Sequence, residues 1–274
     1  MKKKTISSLI KLNQFILVAA LCFTGTAVTL NKREEYKNLL KKLEEEKSKL
    51  EWQLTFSRDM YDAYENFPGH IKKLFNGEDG YDLHYAYDFD ALDNAYKGDS
   101  DFTIAGFTRY NPKEIYVGNY HHYIDYNTIF EKININEEEF EKSVLDIFSD
   151  FGYNDVEDYD TAYQRIQKID TFYHEVGHAI YHDYVKKDYN LSNEFFWSHS
   201  EDLENFKKSG YHLVIDCGSE HNVENMNEYF ATCFACYMIY PESLQESAPR
   251  TYNLMDQIYN SSLESGKVLS LENK

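Results

Sequence analysis

The sequence predicts an α+β fold, in which a small N-terminal β-sheet precedes a helical C-terminal part and a long helix precedes both. Three observations support it: an uninterrupted helical pattern before residue 66, two β-prone runs flanking a turn near residue 110, and helical patterns after residue 160. At 274 residues and 42% hydrophobic content, the chain can fill one core. We divide it into residues 1–30, 31–66 and 67–274.

Residues 1–30 are typical of a secretion signal or a signal anchor. Basic residues at 2–4 precede an uncharged stretch from Leu12 to Leu30. Small residues at 25–27 suit cleavage, yet the stretch is also nearly long enough to span a bilayer, so both alternatives stay open. Because the basic residues precede it, the remaining chain is expected outside the cell, secreted or anchored to the outer face of the membrane.

The next segment predicts a long helix. From Glu34 to Asn66 there is no Gly or Pro, and mostly apolar residues recur at alternating spacings of four and three. This pattern indicates a coiled-coil-like stalk that forms a homodimer through residues 34–64, or a helix packed on its own domain. Pro68-Gly69 is expected to end the helix.

Charge excludes some partners. The formal net charge is −19, and since residues 1–33 hold six basic residues and no acid, residues 34–274 carry 22 basic and 47 acidic residues. Such an acidic segment repels the phosphate backbone of nucleic acids and anionic lipids. We therefore expect no nucleic-acid partner, and membrane contact only through the N-terminal segment.

The cysteines do not predict a structural zinc knuckle. Cys233 and Cys236 form one C-x-x-C within an apolar helical stretch, and no second pair accompanies it. Both are expected to be small buried core residues. A disulfide from Cys217 to this helix stays open.

The middle of the chain predicts a β-hairpin. Residues 76–101 are acidic and aromatic and are assigned to surface carboxylates, whereas 102–108 and 114–118 are short β-prone runs. The turn-like residues 109–113 separate these two runs.

The chemistry is concentrated in H-E-x-x-H at residues 174–178. On a helix, His174 and His178 lie four residues apart on one face, so both imidazoles can bind a single zinc ion while Glu175 lies beside the bound water. The apolar residues around the motif predict a buried helix face, which is where a three-ligand catalytic site is expected.

A third protein ligand must come from another part of the chain. Glu228, at the start of a second amphipathic helix, is the best candidate, and Glu220 and Glu224 are rivals in the preceding loop. Thr232 stands where thermolysin-like enzymes place an acid four residues after the ligand glutamate. His182 is too close to His178 for the metzincin pattern.

Three motifs in order resemble the anthrax-toxin-lethal-factor-like zinc metallopeptidases, which include secreted Pro-Pro endopeptidases. They are His-Glu-Val-Gly-His-Ala at 174–179, Asn-Glu-Tyr-Phe-Ala at 227–231, and the tail at 240–252. The resemblance covers about residues 100–262 and implies a zincin-like (gluzincin) domain. The chain is accordingly expected to be a zinc metalloendopeptidase that hydrolyses peptide or protein substrates.

The resemblance also implies a site. One Zn²⁺ ion would be bound by His174, His178 and Glu228, with Glu175 as the general base. His221 stands where the family has an oxyanion-stabilising Tyr, and Tyr211 is a substitute for it. The hairpin resembles the family's substrate-side strands, which assigns substrate binding to Ile104, Gly106, Phe107 and Thr108. Two alternatives are a catalytically inactive zinc-binding docking or adhesion module on the stalk, and a purely structural anchored coil.

Overall fold

The computed structural model describes residues 37–44, 47, 58–76, 78–86, 105–118, 142, 159–209 and 223–260. Among the sequence predictions, the N-terminal segment, Ile104, Tyr211, Cys217, Glu220 and His221 lie outside these residues. The chain forms two compact units, Met1–Trp52 and Gln53–Lys274. In the first unit, residues 37–44 are helical, with three exposed leucines, Leu39, Leu40 and Leu43. No helix in the described part of the chain is long and apolar enough to cross a membrane.

The end of the segment assigned to the stalk packs inside the second unit. Residues 58–65 are helical, Met60 and Ala63 are buried, and Asp59 forms a buried ion pair with Arg165, with distances of 2.7 and 2.6 Å. Tyr61, on the predicted seam, is 60% exposed. Residues 58–65 therefore pack on their own domain, which is the second of the two alternatives, and they do so along a face shifted from the predicted one. The helix ends before Pro68-Gly69 as predicted, and a short helix α1 (Gly69–Lys72) and a 3₁₀ turn (Lys73–Phe75) follow.

A three-stranded sheet contains the predicted hairpin. Its strands are β1 (Asp82–Ala86), β2 (Gly106–Tyr110) and β3 (Lys113–Gly118), in the order β1-β3-β2. Strand β1 is parallel to β3, and β2 is antiparallel to it. Ile115 and Val117 are fully buried, so one face of the sheet packs on the core.

One prediction about this region is wrong in detail, and one strand was not predicted. The turn is only Asn111-Pro112, because Arg109 and Lys113 lie in strands: the Arg109 guanidinium lies over the rings of Phe107 and Tyr116. Strand β1 lies within residues 76–101, whose described acids, Glu78, Asp79 and Asp82, are exposed as predicted. The strand that β1 pairs with, β3, is more than thirty residues away along the chain, so no local sequence pattern predicts β1.

In the described residues from 159 onward, six further elements form the helical part. They are α2 (Tyr159–Ile180) with a π-helical turn (Tyr181–Val185), α3 (Tyr189–Ser209), α4 (Met226–Ile239), α5 (Pro241–Ser247) and α6 (Pro249–Asn260). The described elements confirm an α+β fold with a small sheet before a helical part. Helix α4 is buried on nearly all sides and is not amphipathic, which corrects the sequence prediction. Cys233 and Cys236 are buried within it, as predicted.

Candidate metal centre

Helices α2 and α4 bring together two histidines and one glutamate. His174 and His178 lie one turn apart on α2, and their side chains are 7% and 9% exposed. The Asn225 side chain caps α4 by accepting a hydrogen bond of 2.9 Å from the Asn227 amide. This cap starts the helix so that Glu228 falls in its first turn, where the helix dipole favours a negative charge.

The distances from Glu228 to the two histidines match those between ligands of a tetrahedral metal site. Glu228 Oε2 lies 3.4 Å from His174 Nε2 and 3.5 Å from His178 Nε2, and one ligand atom from each residue falls within a 4.8 Å cluster. Tetrahedral zinc with ligands at about 2.0–2.1 Å places neighbouring ligand atoms about 3.3 Å apart. The donor set and the two glutamate–histidine distances therefore fit one zinc ion.

The charges of this cluster are already arranged for a cation. Burial opposes ionisation of Glu228, yet hydrogen bonds with His174 and His178 hold its pKa well below the ordinary value. Burial likewise lowers the pKa of His178, but the hydrogen bond with Glu228 and the charges of Glu175 and Glu228 raise it overall. The buried Glu175 and the partly buried Glu228 beside two imidazoles thus create a negative potential that a metal ion would neutralise.

Glu175 lies beside the cluster, and β2 holds it there. The Thr108 hydroxyl is 2.7 Å from Glu175 Oε2 and 2.9 Å from its backbone oxygen. Burial raises the pKa of Glu175 to about 7, although the charge of His178 and the bond from Thr108 act in the opposite direction. A buried carboxylate with a pKa near neutrality is suited to accept and return a proton.

Two glycines allow the close packing that builds the site. A Cβ at Gly177 would lie 2.8 Å from the Ala231 Cα, so α2 and α4 touch at this point. A Cβ at Gly106 would lie 2.8 Å from the Thr171 Cγ2 and 3.0 Å from the Glu175 Cγ. The first contact sets the distance from Glu228 to the histidines, and the second brings β2 against Glu175.

The tail motif supports the helix that carries Glu228. Thr251 donates hydrogen bonds to Asp202 Oδ2 from its amide (2.7 Å) and its hydroxyl (2.9 Å), and its hydroxyl lies 2.9 Å from the Tyr229 hydroxyl. Tyr229, Thr251 and Asp202 are all buried. These hydrogen bonds connect α4 with α6 and α3, so Tyr229, the residue after Glu228, is held by contacts outside the metal centre.

The rival residues that the structure describes have other partners. Glu224 is 69% exposed and forms an ion pair with Lys207 at 3.1 Å, away from the histidines. His182 stacks on Tyr110 with ring centroids 4.0 Å apart and bonds to Asp183. Neither belongs to the cluster of His174, His178 and Glu228.

Tyr110 was missed by the sequence analysis. It follows Thr108 by two residues on the same strand face, and the Asn227 side chain is within hydrogen-bonding reach of both the Tyr110 hydroxyl and His178. Burial raises the pKa of Tyr110, as do the charges of Glu175 and Glu228, so the phenol stays protonated. The period-two alternation that placed Thr108 near the site could have found it.

The predicted substrate strand divides between two faces. Gly106 and Thr108 face α2, whereas the Phe107 ring stacks on Tyr116 on the opposite face, with centroids 4.5 Å apart. Their contacts with substrate stay a prediction, as do the ligand functions of His174, His178 and Glu228. Ile104 and His221 lie outside the described residues.

Comparison with known proteins supports the family resemblance. Residues 155–258, less than half of the chain, match the family model described as anthrax toxin lethal factor, N- and C-terminal domain. The matched segment contains α2 and α4, including the whole histidine and glutamate cluster. No curated protein and no solved structure shows a significant match.

Proposed function

We propose that this chain, whose residues 155–258 are anthrax-toxin-lethal-factor-like, is a zinc metalloendopeptidase that cleaves extracellular peptides or proteins. The observation that carries the proposal is the position of Glu175: a buried carboxylate beside a three-residue zinc-ligand set and under a sheet edge. A zinc site with only three protein ligands leaves room for water or substrate, which favours catalysis over a purely structural metal.

His174, His178 and Glu228 would hold the ion. Zinc bound there would polarise the carbonyl of a peptide bond and lower the pKa of a water molecule. Glu175 removes the proton from the attacking water and later delivers it to the nitrogen of the leaving amine. Burial keeps bulk water from competing for this carboxylate, and the bond from Thr108 fixes its orientation.

Substrate would bind extended along β2. Among the described residues no strand pairs with the outer edge of β2, so its backbone groups are open to an added strand. Glu175 and Gly106 are in contact range at this edge, which brings a peptide bonded to β2 close to the base.

The N-terminal segment supports an extracellular location, either secreted or anchored to the outer membrane face. The anchor would be the only membrane contact. Dimerisation through residues 34–64 is retained as a proposal for the part of that segment before residue 58.

The proposal is tested on the full chain with ligand and base variants. His178→Ala and Glu228→Ala should lose bound zinc, while Glu224→Ala, a matched change at an exposed glutamate, should retain one ion. Glu175→Gln should keep zinc and lose peptide cleavage. Zinc retention in Glu228→Ala, or zinc-dependent cleavage by Glu175→Gln, would contradict the assignment.

A further inference from the structure

Thr108 has a side chain and a backbone that serve different sides of the site. Its side chain points toward α2, where the hydroxyl meets both the carboxylate and the backbone oxygen of Glu175. A threonine hydroxyl has one proton to donate, and the charged carboxylate is the stronger acceptor. The Thr108 hydroxyl therefore fixes Oε2 of Glu175 and leaves Oε1 for another partner.

The backbone of Thr108 faces the open edge of β2. The amide of Gly118 donates to the oxygen of Ala105 at 2.7 Å, and the register pairs Gly106 with Val117 and Thr108 with Ile115. Hydrogen-bonded pairs alternate along an antiparallel ladder, so the pairs of residues 107 and 109 carry the next bonds to β3. The amides and carbonyls of Gly106, Thr108 and Tyr110 consequently point away from β3.

We propose that Thr108 is a positioning residue: its hydroxyl holds the Glu175 carboxylate while its backbone amide and carbonyl bind the extended substrate. This inference rests on the proposed peptidase function and adds how substrate and base are brought into register. One residue then binds the peptide and also holds the base that removes the proton from the attacking water.

The surrounding contacts make this connection stiff. Thr is β-branched and restricted at χ1, and both oxygens within reach of its hydroxyl belong to the same residue of α2. Gly106 brings the strand so close that a Cβ there would lie 3.0 Å from the Glu175 Cγ. Without the hydroxyl, the carboxylate could rotate about its side-chain bonds while the ligands of the metal stay in place.

The test compares Thr108→Val, which keeps the shape and removes the hydroxyl, with Thr108→Ser, which restores a hydroxyl. Misplacing a catalytic group by about 1 Å can reduce turnover roughly 100-fold, so we expect Thr108→Val to lower kcat about 10- to 100-fold. Its KM should stay within about threefold and one zinc ion should remain bound, because the backbone and the metal ligands are unchanged. Thr108→Ser should recover most of the lost kcat.

Unchanged kcat in Thr108→Val would overturn the inference, as would a rise in KM alone or equal losses in the Val and Ser variants. A second measurement is independent of catalysis. The fall in thermal midpoint caused by Thr108→Val should be smaller in a Glu175→Met background than in wild type, because the carboxylate contact is already absent there and only the contact with the backbone oxygen of residue 175 remains. Equal falls in both backgrounds would overturn the contact, whereas an inactive wild type with non-additive falls would refute the proposed function and support the contact.

Discussion

Replacing Gly177 by alanine should separate the two helices that build the metal centre. The new Cβ would lie 2.8 Å from the Ala231 Cα and 3.2 Å from both the Ala231 oxygen and the Phe234 Cβ. Ordinary carbon contacts are about 3.5–4.0 Å, so α2 and α4 must move apart by roughly 0.7–1.2 Å. Two of these three atoms belong to the backbone, so a side-chain rotation cannot relieve the overlap.

The consequence for zinc is larger than that for folding. Overpacking costs about 1–3 kcal/mol, but alanine gains about 1 kcal/mol over glycine within a helix, so the free energy of unfolding changes little. Metal–ligand distances tolerate only about 0.2 Å, and Glu228 is carried by the displaced helix. We expect zinc affinity to fall roughly 10- to 100-fold, as when supporting contacts of a metal site are removed.

A competition titration against a chromophoric zinc chelator measures this effect. Gly69→Ala is the matched control, because a Cβ there meets nothing within 4 Å. Zinc affinity equal to that of wild type in Gly177→Ala would refute the reasoning, because it would show that Glu228 does not depend on this helix contact.

Other predictions concern stability. Arg165→Met removes the nearest cation from the buried Asp59 carboxylate and leaves the half-exposed Arg58, 3.8 Å away, as a weaker partner, so it should cost up to about 3–5 kcal/mol in urea unfolding, and adding Asp59→Leu should restore much of this loss. A fragment that starts at residue 67 lacks Asp59 and so loses the buried ion pair with Arg165, and it should be less stable than a fragment that starts at residue 53. Burial raises the pKa of Asp183, but its bonds with Lys113 and Lys187 outweigh burial and lower it to about 2. This stabilisation is complete above the unfolded pKa near 4 and is lost as pH falls toward 2, so wild type and Asp183→Asn should differ in thermal midpoint at pH 6 and converge in acid; a constant difference would contradict the ion pairs. Zinc at ~1,000 times its Kd should add about 4 kcal/mol to the free energy of unfolding, and the same concentration of Mg²⁺ should add little; no shift with zinc would contradict the site.

The helix with the motif was predictable because its evidence is local. Four-residue spacing places His174 and His178 on one face, and the apolar residues around them predict that this helix face is buried. Glu228 could be singled out from its packed helical context, whereas the distances to the histidines depend on the contact between Gly177 and Ala231. That contact joins helices more than fifty residues apart and leaves no periodic signal.

The features that the sequence did not predict depend on distant partners. Arg109 and Lys113 have the composition of a turn, but Arg109 lies over two rings and Lys113 bonds to Asp183 at 2.7 Å, so both lie in strands. Asp59 is typical of a solvent-exposed helix position, and the buried ion pair with the distant Arg165 offsets the cost of its burial. Such long-range compensation overrides local preference.

The most direct test of the central claim exposes a diverse peptide library to the zinc-loaded full chain, beside Glu175→Gln with its zinc content verified. Mass spectrometry then identifies the cut peptides and the residues around each cut. We predict that wild type cuts a defined set of sequences and that every cut disappears in Glu175→Gln, which still binds one zinc ion. Cuts that persist in Glu175→Gln, or no cuts by a wild type that binds zinc, would contradict the account.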